Sequence, residues 1–180
     1  MTAPESEIPS VVRCYAVYGI RLRSDFPFRS HLTAAEGPAD LIFDCRPLAT
    51  PDREDLGSMD LAPGVYLRGE GERELLHYPR LFDFLLPPGR IQCRWRQPDA
   101  GSRIERALFG TVLAYWLERR GWLALHAAAV EVEGQALAFL ADNQSGKTTL
   151  AISLMQAGHA LITDNLLAID PGRERPLCHG

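Results

Sequence analysis

Between Val11 and Pro98 the chain is a series of short apolar runs punctuated by Pro, Gly and polar residues: 11–22, 39–43, 65–67, 75–78, 81–86 and 91–95. Runs of this length bounded by turn-forming residues predict strands, and together a small β-rich subdomain. In the last run Ile91, Cys93 and Trp95 alternate with Gln92, Arg94 and Arg96, the period of a strand with one buried face. Pro47 to Pro63 is predicted as the longest loop, and the polar, Pro-containing residues 1–10 as a frayed tail.

The period changes after Pro98-Asp99-Ala100-Gly101. Ser102-Arg103-Ile104-Glu105 has the form of a capping box, predicting a helix start. Ile104, Ala107, Leu108, Thr111, Val112 and Tyr115 then mark one apolar helical face that should dock on a sheet, and Gly121 is the stop signal. Trp122 to Val130 predicts a strand, Glu131-Val132-Glu133-Gly134 a turn, and Gln135 to Leu140 the returning strand of a hairpin. Ala141 to Gly146 reads as a loop, Lys147 to Ala157 as a helix closed by Gly158, and His159 to Thr163 as a strand ending in Asp164-Asn165. The order strand, loop, helix, strand is that of a βαβ unit. The expected organisation is a tail over 1–10, a β-rich subdomain over 11–101 and an α/β core over 102–180.

Composition narrows the function classes. With 180 residues, 46% hydrophobic and 23% charged, the chain suits one globular domain or one and a fraction. A net charge of −4 and a pI near 5.7 argue against a nucleic-acid groove or an anionic membrane surface. No stretch nears the roughly 18 apolar residues of a membrane span, and MTAPESEIPS has no leader pattern, so a cytoplasmic protein is expected. Cys14, Cys45, Cys93 and Cys178 form no CxxC pair and read as reduced thiols. Eighteen of the 19 basic residues are Arg; the single lysine is Lys147.

That lysine lies in Ala141-Asp142-Asn143-Gln144-Ser145-Gly146-Lys147-Thr148, which resembles the Walker A pattern GxxxxGK[ST] with Ala in place of its first Gly. Such a loop wraps consecutive N–H groups and a helix N-terminus around phosphate oxygens, while Lys neutralises the outer phosphates and the hydroxyl holds Mg²⁺. Residues 142–149, Thr149 included, are therefore the candidate nucleotide-binding segment. Ala141 and Gln144 stand where glycines would permit positive φ or close phosphate approach.

The wider pattern resembles the HPr kinase/phosphorylase family and its related bacterial serine kinases. The resemblance rests on Leu125-His126 in the strand ahead of a hairpin, the loop, and Met155-Gln156-Ala157-Gly158-His159-Ala160-Leu161-Ile162-Thr163-Asp164-Asn165, with looser likeness in Tyr18-Gly19-Ile20, Ser24-Asp25-Phe26-Pro27 and Ala39-Asp40. It implies an α/β phosphate-loop core of the HPr kinase and phosphoenolpyruvate carboxykinase type, following an N-terminal β-rich subdomain. The implied activity is transfer of the γ-phosphoryl group of ATP to a serine of a protein or peptide, with Mg²⁺. Lys147 and Thr148 would meet the phosphates and the metal, Asp164 would serve the metal and take the serine proton, and His126 would match the strand histidine.

Three departures motivate a second reading, a non-catalytic nucleotide-binding or interaction module. Asn165 replaces a second Asp, two loop glycines are missing, and the substrate-binding part that follows in the family has no counterpart before Gly180. A second copy or a complementing kinase half is the partner this implies, and a small-molecule kinase is a third reading. Taken alone, His126 is better explained by a core position and only the loop downstream makes the functional reading its equal; Asp142 is at least as well explained by a solvated turn, and Arg119-Arg120 most simply by favourable charge at a helix end. His159 reads as a helix-end residue, while His31, His77 and His179 have no partner visible in the sequence.

Overall fold

Strand formation follows the alternation of apolar residues, and among the described residues helices appear only after residue 100. The computed structural model describes residues 12–47, 58–62, 64–69, 74–96, 100–142, 144–172 and 174–180. The molecule is mixed α/β with mostly strands and few helices. It divides into two units, one comprising the described residues up to Ala16 together with Ile20–Ile104, the other Val17–Gly19 together with Glu105–Gly180. The expected tail and Asn143 lie outside the described residues.

The first unit is built on nine strands: β1 (Arg13–Val17), β2 (Ile20–Ser24), β3 (Thr33–Ala34), β4 (Leu41–Pro47), β5 (Ser58–Ala62), β6 (Val65–Arg68), β7 (Leu75–Tyr78), β8 (Phe82–Leu85) and β9 (Arg90–Trp95). They form one sheet in the order β3-β1-β2-β4-β9-β8-β7-β6-β5, with β2, β4 and β9 parallel and the β9-to-β5 half an antiparallel meander. One face is apolar, with Leu22, Leu41, Phe43, Leu76, Phe84 and Ile91 all fully buried. The polar positions carry ion pairs, Arg21 with Asp40, Arg46 with Asp25, Arg90 with Asp44 and Arg96 with Asp83, and Asp83 is also hydrogen-bonded to His77. His77, partnerless in the sequence, thus donates its Nδ1–H to the Asp83 carboxylate at 2.6 Å across β7 and β8. The predicted loop 47–63 contains β5, because Ser58–Ala62 finds an antiparallel partner in β6.

The helix expected from Ser102 begins one residue earlier as α1 (Gly101–Ala107), placing Ser102 inside the first turn rather than at its cap. It is also interrupted. Leu108–Val112 forms a π-helical turn in which Gly110 leaves helical geometry (φ −103°, ψ −109°), and α2 (Leu113–Glu118) resumes. A glycine tolerates this backbone, and Tyr18 donates its hydroxyl to the carbonyl of Phe109 at 2.7 Å, satisfying an oxygen beside the break. Gly121 (φ 81°) ends the segment. Arg120 does more than favour the helix end: its guanidinium lies 3.5 Å above the Trp116 ring.

The predicted strand 122–130 is two strands in different sheets. β10 (Leu123–His126) pairs with β14 (Leu166–Asp170), which pairs with β15 (Leu177–His179); β11 (Ala128–Val132) lies between β12 (Gln135–Phe139) and β13 (Ala160–Thr163). The chain changes sheets at Ala127. Small side chains make this possible: Ala127 and Ala129 pack with Leu167 on one side, while Ala128 and Val130 pack with Ala151 of α3 (Lys147–Gln156) on the other. The sheets therefore share an Ala-rich core, α3 covers the outer face of one, and α2 lies against β10 and β14 of the other.

Candidate functional site

The β11–β12 hairpin turns through Glu133 (φ 50°) and Gly134 (φ 76°), the two-residue turn whose twist suits antiparallel strands. Both β12 and β13 run antiparallel to β11 and are therefore parallel to each other, with β11 between them. Their carboxyl ends share one edge of the sheet, so the loop after β12 and the Asp164-Asn165 turn after β13 emerge together. Carboxyl ends of parallel strands are where α/β folds collect ligand-binding loops.

Gln144 (φ 64°) and Gly146 (φ 91°) both adopt the left-handed conformation, bending the chain into the start of α3. Gly146 is the helix N-cap and has no side chain with which to cap it. The first helical bond is Leu150 N–H to Gly146 C=O at 2.9 Å, so the N–H groups of Lys147, Thr148 and Thr149 are the open donors of the helix start. Their partial positive charge favours an anion there. Lys147 folds back over the loop, donating from Nζ to the carbonyls of Ala141 (2.6 Å) and Asp142 (2.9 Å). Asp142 also accepts from Ser145 N–H at 3.3 Å, so its main chain, rather than its carboxylate, is what it gives the loop.

The other end of α3 closes by the pattern a left-handed glycine permits. Gly158 (φ 101°) donates to Met155 C=O and His159 N–H to Leu154 C=O, which sets the direction of the chain into β13. His159 thus acts at the helix end through its backbone. Thr163, buried at the end of β13, accepts from Asn165 N–H through Oγ1 at 3.3 Å and shapes the turn carrying Asp164.

These elements line an open cleft of about 290 Å³. Gln144, Ser145, Gly146, Lys147, Thr148 and Thr149 line it from the loop, and His126 and Asp164 from the neighbouring strand ends. Asp142 is absent from the lining, and Asn143 is outside the described residues. The structure brings the remaining candidates together, but the route for His126 differs from the sequence expectation. His126 belongs to β10 rather than to the hairpin, and it arrives through β14: it is the register partner of Leu166 and bonds the Asn165 carbonyl through Nδ1 at 3.0 Å.

The sequence reading gave Tyr18 no role at the site. It sits in a turn with Gly19 (φ 48° and 78°), and burial, with a smaller contribution from the negative charge of Asp164, pushes its phenol up to about 12. The Tyr-Gly pair signals the turn, but nothing local signals its proximity to residue 164. His179 also gains a partner, stacking on Trp122 with ring centroids 5.8 Å apart.

Mg²⁺ would find few protein ligands. No group of three or more His, Cys, Asp and Glu converges among the described residues; the lining of the site offers one carboxylate, Asp164, and the hydroxyls of Ser145, Thr148 and Thr149. This suits a hard cation that keeps waters and takes much of its coordination from substrate phosphates. No helix among the described residues is long and apolar enough to cross a membrane. Comparison with protein-family models, with curated proteins and with solved structures finds no match for this chain.

Proposed function

We propose that this protein is an ATP-dependent serine kinase of the HPr kinase type, its α/β unit a phosphate-loop core, acting in the cytoplasm on a protein or peptide. The carrying observation is the meeting of the α3 N-terminus, Lys147, Thr148, His126 and Asp164 around one cleft. Phosphoryl transfer needs charge neutralisation, in-line placement and a carboxylate near the nucleophile.

In this reading the N–H groups of residues 147–149 hold phosphate oxygens, and Lys147 exchanges the Ala141 and Asp142 carbonyls for the outer phosphates. Thr148 and Asp164 would hold Mg²⁺, which would supply neutralisation of phosphate charge. The serine oxygen forms the new bond to the γ-phosphorus as the bond to the bridging oxygen breaks, ADP departs, and the serine proton passes to Asp164. Asn165 cannot share that task, having no basic carboxylate.

The loop also supports a second reading, nucleotide binding without transfer, favoured by Gln144 in a left-handed conformation and by Asn165. Calorimetry with ATP and Mg²⁺ on wild type and Lys147→Ala, paired with transfer assays on serine peptides using Asp164→Asn, separates the two. The kinase reading expects binding lost in the first variant and transfer lost in the second. Binding without transfer favours the second reading; equal heats from wild type and Lys147→Ala overturn both. Since Lys147 is the only lysine, its protection by ATP from an acylating nucleotide analogue is an independent check.

A further inference from the structure

Cys45 and Cys93 are separated by 47 residues but are register partners on β4 and β9, neighbouring parallel strands at the middle of the nine-stranded sheet. Register partners point to the same face, here the one on which Phe43 and Ile91 are paired and fully buried. Cys93 is 1% exposed, whereas Cys45 is partly exposed. The pair therefore straddles the margin of the core, Cys93 sealed and Cys45 partly exposed.

Adjacent strands lie about 4.8 Å apart, within the roughly 4.4–6.8 Å between Cα atoms that a disulfide spans. Cys14 is excluded as a competitor within this sheet. It lies on β1, with β2 between it and β4, about 9.6 Å away at ladder spacing and beyond the ~7 Å limit. A hydrogen bond with Cys45, followed by burial, drives the Cys93 thiol pKa upward, so Cys93 stays protonated and the accessible Cys45 reacts first.

We infer that Cys45 and Cys93 form an oxidisable dithiol, a site at which a peroxide closes a reversible cross-strand disulfide between β4 and β9. The Cys45 sulfur attacks one peroxide oxygen, the O–O bond breaks, and a sulfenic acid and water result. The Cys93 sulfur then attacks the Cys45 sulfur, the S–O bond breaks, and the hydroxyl leaves as a second water with the Cys93 proton. In sum two thiols lose two protons and two electrons to one peroxide, which becomes two waters. A dithiol reducing agent reopens such a bond by thiol–disulfide exchange and returns both cysteines to thiols.

The test is to expose reduced full-length protein to hydrogen peroxide, block remaining thiols, and measure intact mass and tryptic peptides. The expected result is loss of two hydrogen masses, with residues 91–94 joined to the peptide carrying Cys45, reversed by dithiothreitol. The cross-link should vanish in Cys45→Ser and persist when Cys14→Ser and Cys178→Ser are combined. That last variant leaves the buried position intact and reads the proposal even if Cys93→Ser fails to fold. A free Cys93 beside a Cys45 unchanged or oxidised to sulfinic acid, or a disulfide to Cys14 or Cys178, would overturn the inference.

Discussion

His126 donates its Nδ1–H to the main-chain carbonyl of Asn165 at 3.0 Å, joining the end of β10 to the turn after β13. A carbonyl can only accept, so the bond fixes the ring's tautomer and places the lone pair of the neutral imidazole on Nε2. Residue 165 enters this contact through its backbone. Its side chain can change without removing the bond.

Asn165→Asp should therefore keep the His126 contact while adding a carboxylate beside Asp164. The expected outcome is tighter Mg²⁺-dependent ATP binding by about five- to tenfold, the roughly 1 kcal/mol of one added, partly screened charge contact. Calorimetry at fixed ionic strength measures it; unchanged affinity would mean that residue 165 does not face the metal.

Gln144→Gly removes a side chain from a position with φ 64°. Relief of a left-handed residue is worth about 1–2 kcal/mol, against about 0.4–1 kcal/mol of added unfolded-state entropy. A net stabilisation of about 0.5 kcal/mol and closer phosphate approach are expected. Urea unfolding and ATP titration of the same variant check both, and a clear loss of stability would show that the Gln144 side chain supports the loop.

Gly19 has φ 78°, and a Cβ there would lie 2.6–2.7 Å from the His179 ring. Gly19→Ala should cost about 2–4 kcal/mol, combining the left-handed penalty with overpacking. Adding His179→Ala should restore the overpacking part alone. Denaturant unfolding of the four-member cycle separates the two contributions.

Tyr18 has a folded-state pKa of about 12 against an ordinary value of 10.0. Raising it favours the protonated phenol in the folded state, so its stabilising contribution is complete below about pH 10 and disappears as pH rises through about 12. Unfolding measured from pH 9 to 12 should show wild type losing more stability than Tyr18→Phe across that window. Parallel curves would place the phenol in a solvated setting.

Several features of the site follow from neighbouring residues alone. Gly146 and Gly158 bracket α3, Glu133-Gly134 closes the hairpin, and Gly146-Lys147-Thr148 places a cation and a hydroxyl on the first turn of a helix. Each is governed by contacts within about four residues, the range over which sequence patterns report directly. Beyond Asn165 no local pattern announces β14 and β15, and the Leu166-Leu167-Ala168 run of β14 is buried against β10 and β11.

The sequence by itself determined the alternation of Ile91–Trp95, the ends of α3 and the loop that opens it, because backbone dihedrals and capping bonds are chosen locally. Only the tertiary structure decided that the strand through residue 126 breaks at Ala127, that β11 inserts between β12 and β13, and that Cys45 faces Cys93. Those choices come from competition among distant strand pairings and from which small side chains allow two sheets to close on one core. His126 illustrates the difference: its residue type was legible in the chain, but its chemistry depends on the carbonyl of Asn165, 39 positions away.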